Sequence, residues 1–239
     1  MQFSNPKSEI RNPKFYAIIV AGGSGSRMRS ALPKQFIELC GLPVLMHTIR
    51  AFYDSGSSPQ IILALHADYH STWASLCDNH NFTIPHTIIS GGQTRFDSVK
   101  NAVDTISDHD ALIAVHDAVR PLVSSDIINE AYQCAAENGT AVTAVKSRDS
   151  IRQINAGVSA ALDRERIYLV QTPQTFQSNL LKKAYQQPYQ DAFTDDASVV
   201  EQSGVAIKLI PGSYSNIKIT FPEDIVIAEA LINKKSHQF

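Results

Sequence analysis

No apolar run in this chain of 239 residues reaches the roughly 18 that a membrane span requires. The opening stretch, "MQFSNPKSEIRNPK", has two prolines and no apolar h-region, so it does not read as a signal peptide. Residues 1–14 are expected to form a flexible leader, because they offer too little apolar surface to offset the entropy of ordering. Charge of one sign is missing too. With 21 Lys and Arg against 23 Asp and Glu, the formal charge of −2 supplies neither a basic field for nucleic acid nor an acidic tail. Cys40, Cys77 and Cys134 are odd in number, far apart and form no C-x-x-C, which reads as reduced, mostly buried thiols of a cytoplasmic protein. The eight histidines carry no H-x-x-E-H spacing, so the sequence gives no support for a zinc site.

What is present is a rhythm. Short apolar, β-branched runs at 16–20, 60–65, 86–90, 111–116, 140–145 and 205–210 alternate with segments of helical period at 43–54, 68–80, 95–106 and 125–138. The runs are nearly continuous in apolarity, as expected of strands covered on both faces. Ser124 or Ser125 with Asp126 opens the fourth helical segment, and Gly139 closes it. Strand–helix repetition of this kind predicts an α/β fold: a Rossmann-like, mostly parallel, doubly wound sheet flanked by helices. Residues 146–170 break the rhythm. They alternate polar and apolar around Asn155-Ala156-Gly157, which predicts a projecting antiparallel β-arm. An arm cannot bury both its faces alone, so a homodimer formed through it is expected. Further helices are expected near 178–186, 195–202 and 222–232, the last with Pro222 in its first turn beside Glu223 and Asp224. There are no internal repeats, so residues 15–239 read as a single domain with one excursion.

The stretch "AGGSGSRM" (21–28) follows the first strand. It is no Walker loop, because no Gly-Lys-Ser/Thr follows, and the third place of a dinucleotide fingerprint is taken by Met28. Gly22, Gly23 and Gly25 let a backbone come close to a ligand with its N–H groups aimed at oxygens. Arg27 adds a planar fork and Lys34 a point charge, a pairing suited to the several anionic oxygens of a triphosphate. Arg29 reads as a solvated side chain.

The order G-G-x-G-x-R-M, then "PKQF" (33–36), resembles the sugar-phosphate nucleotidyltransferases. With "GGQTRFDSV" (91–99), "VHDAVRP" (115–121), "DRERIYLVQTPQTF" (163–176), "TDDAS" (194–198) and "NIKIT" (216–220), the chain resembles the 2-C-methyl-D-erythritol 4-phosphate cytidylyltransferase family over residues 15–235. The resemblance implies a reaction of CTP with a sugar-alcohol phosphate. In it, the acceptor phosphate attacks the α-phosphorus in line and pyrophosphate leaves. A phosphomonoester, with a second pKa of ~6, is already largely dianionic at neutral pH. No general base is needed, and the difficulty is electrostatic.

Residue by residue, the resemblance implies that Ala21, Gly22, Gly23 and Gly25 hold the nucleotide. Arg27 and Lys34 would stabilise charge at its phosphates. Gly92, Gln93 and Ser98 match cytosine-reading positions, and Arg95 would order that loop; Gln93 stands where an acidic residue is frequent. Asp117 and Arg120, at the end of an apolar strand, would meet the acceptor. Ser150 (where threonine is common) and Arg164 on the arm, with Thr172 and Lys218, would complete its phosphate cradle, the arm residues serving mainly the partner subunit. Mg2+ is implied, held mainly through the CTP phosphates, with Asp117 the nearest protein ligand. His116 reads as a packing residue, and Asp195 and Asp196 as a helix N-cap and first turn. A ribitol-phosphate cytidylyltransferase shares most of these blocks. A catalytically silent nucleotide-binding module would have no need of Arg164 and Lys218.

Overall fold

A computed structural model describes residues 13–22 and 33–236. Gly23, Gly25, Arg27 and nearly all of the leader therefore lie outside the described residues. Lys14, assigned to the leader from sequence, opens the first strand and pairs with Asp108 at 2.9 Å.

Strand β1 (Lys14–Ala21) runs parallel to β4 (Gln60–Leu65) on one side and to β6 (Ala111–Asp117) on the other. A small antiparallel pair, β2 (Glu38–Leu39) and β3 (Leu42–Pro43), precedes helix α1 (Val44–Tyr53). Helix α2 (His70–Asn79) leads to β5 (Thr87–Ser90), which extends the sheet beyond β4. Helix α3 (Arg95–Thr105) then carries the chain back across β1 to β6. Helix α4 (Ser125–Asn138) follows, with the Ser124 hydroxyl accepting from the Ile127 N–H and Gly139 left-handed at φ 84°. Those are the two ends the sequence marks.

Beyond α4 come β7 (Thr140–Lys146), the hairpin β8 (Arg152–Asn155) and β9 (Val158–Ala161), and β10 (Tyr168–Gln177). Ala156 and Gly157, at φ 48° and 81°, form the hairpin turn, where two positive φ values suit the twist of the flanking strands. Helices α5 (Ser178–Ala184) and α6 (Asp196–Gln202), strand β11 (Leu209–Pro211) and helix α7 (Pro222–Ser236) complete the chain. The seven-stranded order is β11-β7-β10-β6-β1-β4-β5. Every neighbouring pair is parallel except those made by β10, which lies antiparallel between β6 and β7.

Three expectations shift. The sequence reading carries the arm to residue 170, whereas Tyr168–Gln177 is a strand of the main sheet. The run 205–210 shortens to Leu209–Pro211, because the Thr140 hydroxyl donates to the Ala206 carbonyl and accepts from the Lys208 N–H in place of ladder bonds. His86 falls outside β5, since its Nε2 accepts from the Trp73 indole at 2.9 Å.

Side-chain alternation along the strands builds two cores. Ala17, Ile19 and Ala21 face α1, α2 and α4, while Tyr16 and Ile18 face α3, α5 and α6. A third cluster, with Leu39, Val44, Leu122, Ile219 and Ala228, seats α7. Cys77 and Cys134 are half-buried; Cys40 is exposed, contrary to expectation, in a turn with φ 50°. Burial pushes the Cys77 thiol up to about 11, so it stays protonated and unreactive at neutral pH.

Candidate active site

The carboxyl ends of β1, β4, β5 and β6 point the same way, and the chain reverses direction across β1, so a crevice opens at that edge. A cavity of about 530 Å³ occupies it, lined by Gly22 after β1, His66 after β4, Gly92 and Gln93 between β5 and α3, Arg95 at the start of α3, Asp117 at the end of β6 and Val119 after it. Lys34 and Lys218 complete its wall. A second cavity of about 230 Å³ adjoins it, with Arg120, Thr172, Gln174 and Asp195 among its lining. Arg95, Asp117 and Lys218 line both.

The glycines at this edge answer to close approach. A Cβ on Gly92 would stand 2.2 Å from the Cβ of Asp97, and one on Gly22 would stand 3.0 Å from the Ser98 hydroxyl. That crowding comes from α3. Thr94 and Asp97 form a reciprocal capping box, and the Ser98 hydroxyl accepts from the Gly92 N–H at 3.0 Å while donating to the Thr94 carbonyl at 2.9 Å. Ser98, buried, thus ties down the turn that carries the exposed Gln93.

Charge is concentrated on Asp117. Its carboxylate meets the Lys218 ammonium at 2.9 Å, Arg120 Nε at 3.3 Å and Arg95 Nε at 3.7 Å. Burial by itself pushes this carboxyl up, but Arg95, Lys218 and Arg120 together outweigh it and hold it well below the usual carboxylate range. Its N–H is bound by the Thr172 hydroxyl at 3.1 Å, at the point where the register of β10 shifts. Arg120, also buried, donates to the Asn216 carbonyl at 2.8 Å, and Asn216 donates to the Thr172 carbonyl at 2.8 Å. These bonds fix the loop that presents Lys218. Burial pushes the Arg95 guanidinium down, and Asp196 and Asp117 more than reverse that, so it is held protonated.

The structure brings together Gly22, Lys34, Gly92, Gln93, Arg95, Asp117, Arg120, Thr172 and Lys218, with Ala21 buried at the end of β1 and Ser98 beneath. Ser150 and Arg164 are exposed on the arm and line neither cavity; Arg164 faces Glu165 at 3.7 Å. His116 is buried as expected, its Nε2 on the Arg120 carbonyl and its ring against Phe52. Burial pushes it down to about 4, leaving it neutral. Three contributors escape sequence reasoning: His66, Asn216 and Gln174, whose amide joins Asp195 to β10. The expectation that the histidines form no H-x-x-x-H spacing needs correcting, since His66 and His70 stand in one; but His70 Nε2 bonds the Leu65 carbonyl and His66 Nδ1 accepts from the Asp68 N–H. Among the described residues no three His, Cys, Asp or Glu side chains gather as a metal cage. Among the described residues Asp117 is the one carboxylate on the larger cavity, and three cations already face it. That donor set suits a divalent ion carried chiefly by ligand phosphates rather than one caged by the protein.

The family model for 2-C-methyl-D-erythritol 4-phosphate cytidylyltransferase (IspD) matches residues 15–234. The enzyme of that name from Azobacteroides pseudotrichonymphae is 48% identical over 219 residues, covering 91% of this chain and 98% of the relative. That of Phocaeicola vulgatus is 46% identical, with 91% and 99% covered. The crystal structure of 4-diphosphocytidyl-2C-methyl-D-erythritol synthase from Anaerococcus prevotii matches at a TM-score of 0.79 and 28% identity, with 92% and 96% covered. The Francisella tularensis cytidylyltransferase matches at 0.74 and 31%, with 90% and 98% covered. The chain belongs to the 2-C-methyl-D-erythritol 4-phosphate cytidylyltransferase family of nucleotidyltransferases.

Proposed function

We infer that this enzyme transfers a cytidylyl group from CTP to 2-C-methyl-D-erythritol 4-phosphate, giving 4-diphosphocytidyl-2-C-methyl-D-erythritol and pyrophosphate, in non-mevalonate isoprenoid precursor synthesis. The observation that carries the reading is the shared wall: two adjoining cavities meet at Arg95, Asp117 and Lys218. Two anionic substrates, one in each cavity, would bring their phosphates together beside those cations.

In the proposed mechanism, an oxygen of the acceptor phosphate forms a bond to the α-phosphorus of CTP. The bond from that phosphorus to its β-bridging oxygen breaks, and the electron pair leaves with pyrophosphate. Lys34 and Arg27 counter the charge that builds on the triphosphate, and Lys218 orients the attacking phosphate. Asp117 holds the Lys218 ammonium at 2.9 Å, so the charge is placed before substrate arrives. Gln93 and the Gly92 backbone face the larger cavity, where a pyrimidine edge would be read. Asp117 is the residue that would help hold a magnesium ion, which would supply further neutralisation of phosphate charge. Ser150 and Arg164 act on the acceptor in the second subunit of a homodimer, within the cytoplasm. The exposed apolar side chains of the arm, Ile154 at 71% and Val158 at 70%, support that assembly.

Pyrophosphate release with CTP against a panel of acceptors tests the reading. Turnover is expected with methylerythritol phosphate and little with ribitol 5-phosphate or hexose 1-phosphates. Equal or better turnover with ribitol 5-phosphate would replace the acceptor assignment, and the absence of release with every acceptor in the panel would leave a nucleotide-binding module.

A further inference from the structure

The side chain of Asp196 is fully buried, lines neither cavity and has no helix end left to cap. Helix α6 already has its capping box in Asp195 and Ser198, and Asp195 is itself anchored by the Gln174 amide at 2.9 Å. A second carboxylate one residue later, with no access to water, is costly to bury unless it is paired. It is paired in a definite way. Its two oxygens take both terminal nitrogens of Arg95, at 3.0 and 2.6 Å, and one of them also accepts the Tyr185 hydroxyl at 2.6 Å. The Tyr185 ring is stacked on Phe96 at 4.7 Å, the residue after Arg95, so donor and guanidinium are aligned from the same helix.

Arg95 has a second carboxylate within reach. Its Nε stands 3.7 Å from Asp117, against 2.9 Å for Lys218 on the same group. The guanidinium is therefore divided: its fork belongs to Asp196 and only its inner nitrogen leans toward Asp117. Without the Asp196 charge, Asp117 is the strongest remaining attraction for Arg95 among the described residues. A guanidinium moving onto Asp117 would compete with the ammonium already there.

We propose that Asp196, supported by Tyr185, is a positioning residue for the transfer reaction: it holds Arg95 back so that Asp117 keeps Lys218 at the wall between the two cavities. The inference rests on the cytidylyl-transfer reading. Because Asp196 lines neither cavity, its effect falls on the reacting geometry and not on nucleotide affinity.

The test is steady-state kinetics with CTP and methylerythritol phosphate, normalised to CTP-binding sites, for wild type, Asp196→Asn, Asp196→Glu and Tyr185→Phe. Asp196→Asn is expected to lower kcat by about 10²-fold with KM for CTP changed less than about threefold, the scale of a misplaced reacting group. Asp196→Glu should recover about tenfold of that loss, and Tyr185→Phe should cost about threefold in kcat. A normalised kcat equal to wild type in Asp196→Asn would make the pair structural only and overturn the inference, as would a fall confined to KM. Should Asp196→Asn not fold, Tyr185→Phe decides by the same split. A wild-type enzyme that releases no pyrophosphate would instead remove the functional reading, and the inference with it.

Discussion

Two regions of this molecule carry cations assigned to the same reaction, and they are built in opposite ways. At the carboxyl edge of the sheet, Arg95, Arg120 and Lys218 converge on one buried carboxylate, and Arg95 and Arg120 are each held by bonds to a further partner, Asp196 and the Asn216 carbonyl. On the arm, Arg164 is exposed and pairs with its own neighbour Glu165, and the strands Arg152–Asn155 and Val158–Ala161 are exposed on both faces. The root of the arm is pinned, by Lys146 to Glu165 at 3.1 Å and by Arg148 stacked 3.4 Å over the Tyr214 ring. The difference is that the sheet edge is preorganised by contacts within one chain, whereas the hairpin strands of the arm leave their side chains exposed.

The largest expected effect breaks the sheet-edge side. Lys34→Ala or Lys218→Ala should lower kcat by roughly 10²–10³, the scale of one lost stabiliser of transition-state charge. Single-turnover measurement at saturating CTP checks it: an intact chemical rate with weakened binding would reduce these lysines to substrate ligands.

The next effect separates the regions by pH. An unfolded imidazole takes its proton near 6.5, whereas the buried His116 takes one only at about 4. The folded state binds fewer protons across that interval. The stability His116 contributes is therefore complete above 6.5 and is lost as pH falls toward 4, by on the order of 3 kcal/mol. Asp117, held low, adds a further loss below its ordinary value of 3.8. His116→Gln should flatten the melting temperature between pH 6.5 and 4, while an arm variant such as Arg164→Ala should leave that slope untouched. An unchanged slope in His116→Gln would locate the acid sensitivity elsewhere.

The smallest effect belongs to the arm alone. Ile154→Lys with Val158→Lys should alter the stability of a single chain by no more than about 0.5 kcal/mol, because both side chains are exposed. The same pair should shift the sedimentation coefficient toward that of a monomer. A melting temperature that drops with no change in assembly would mean that the hairpin packs on its own chain.

The same contrast explains what the sequence made legible. Helix α4 is marked at both ends because Ser124, Asp126 and Gly139 act through bonds to residues a turn away. The hairpin turn at Ala156-Gly157 is legible for the same local reason. Strand β10 is not, because its place between β6 and β7 depends on pairings far along the chain and its middle carries Pro173. Asp196 looks like a first-turn acid; nothing near it in sequence announces Arg95, which is 101 residues away. Gly92, Gln93, Asp117 and Lys218 were named by family resemblance and line one cavity, but the fact that Asp117 binds three cations at once belongs to the tertiary structure.

The central claim is that the sheet edge of one subunit reacts with the arm of the other, and subunit mixing tests it most directly. Arg164→Ala and Lys218→Ala subunits, each inactive alone, are co-expressed and assayed for pyrophosphate release. In a mixed dimer one of the two sites then combines an intact sheet edge with an intact arm, so random pairing should restore up to about one quarter of wild-type activity. No recovery in mixtures shown to contain mixed dimers, or full activity of a wild-type monomer at high dilution, would contradict it.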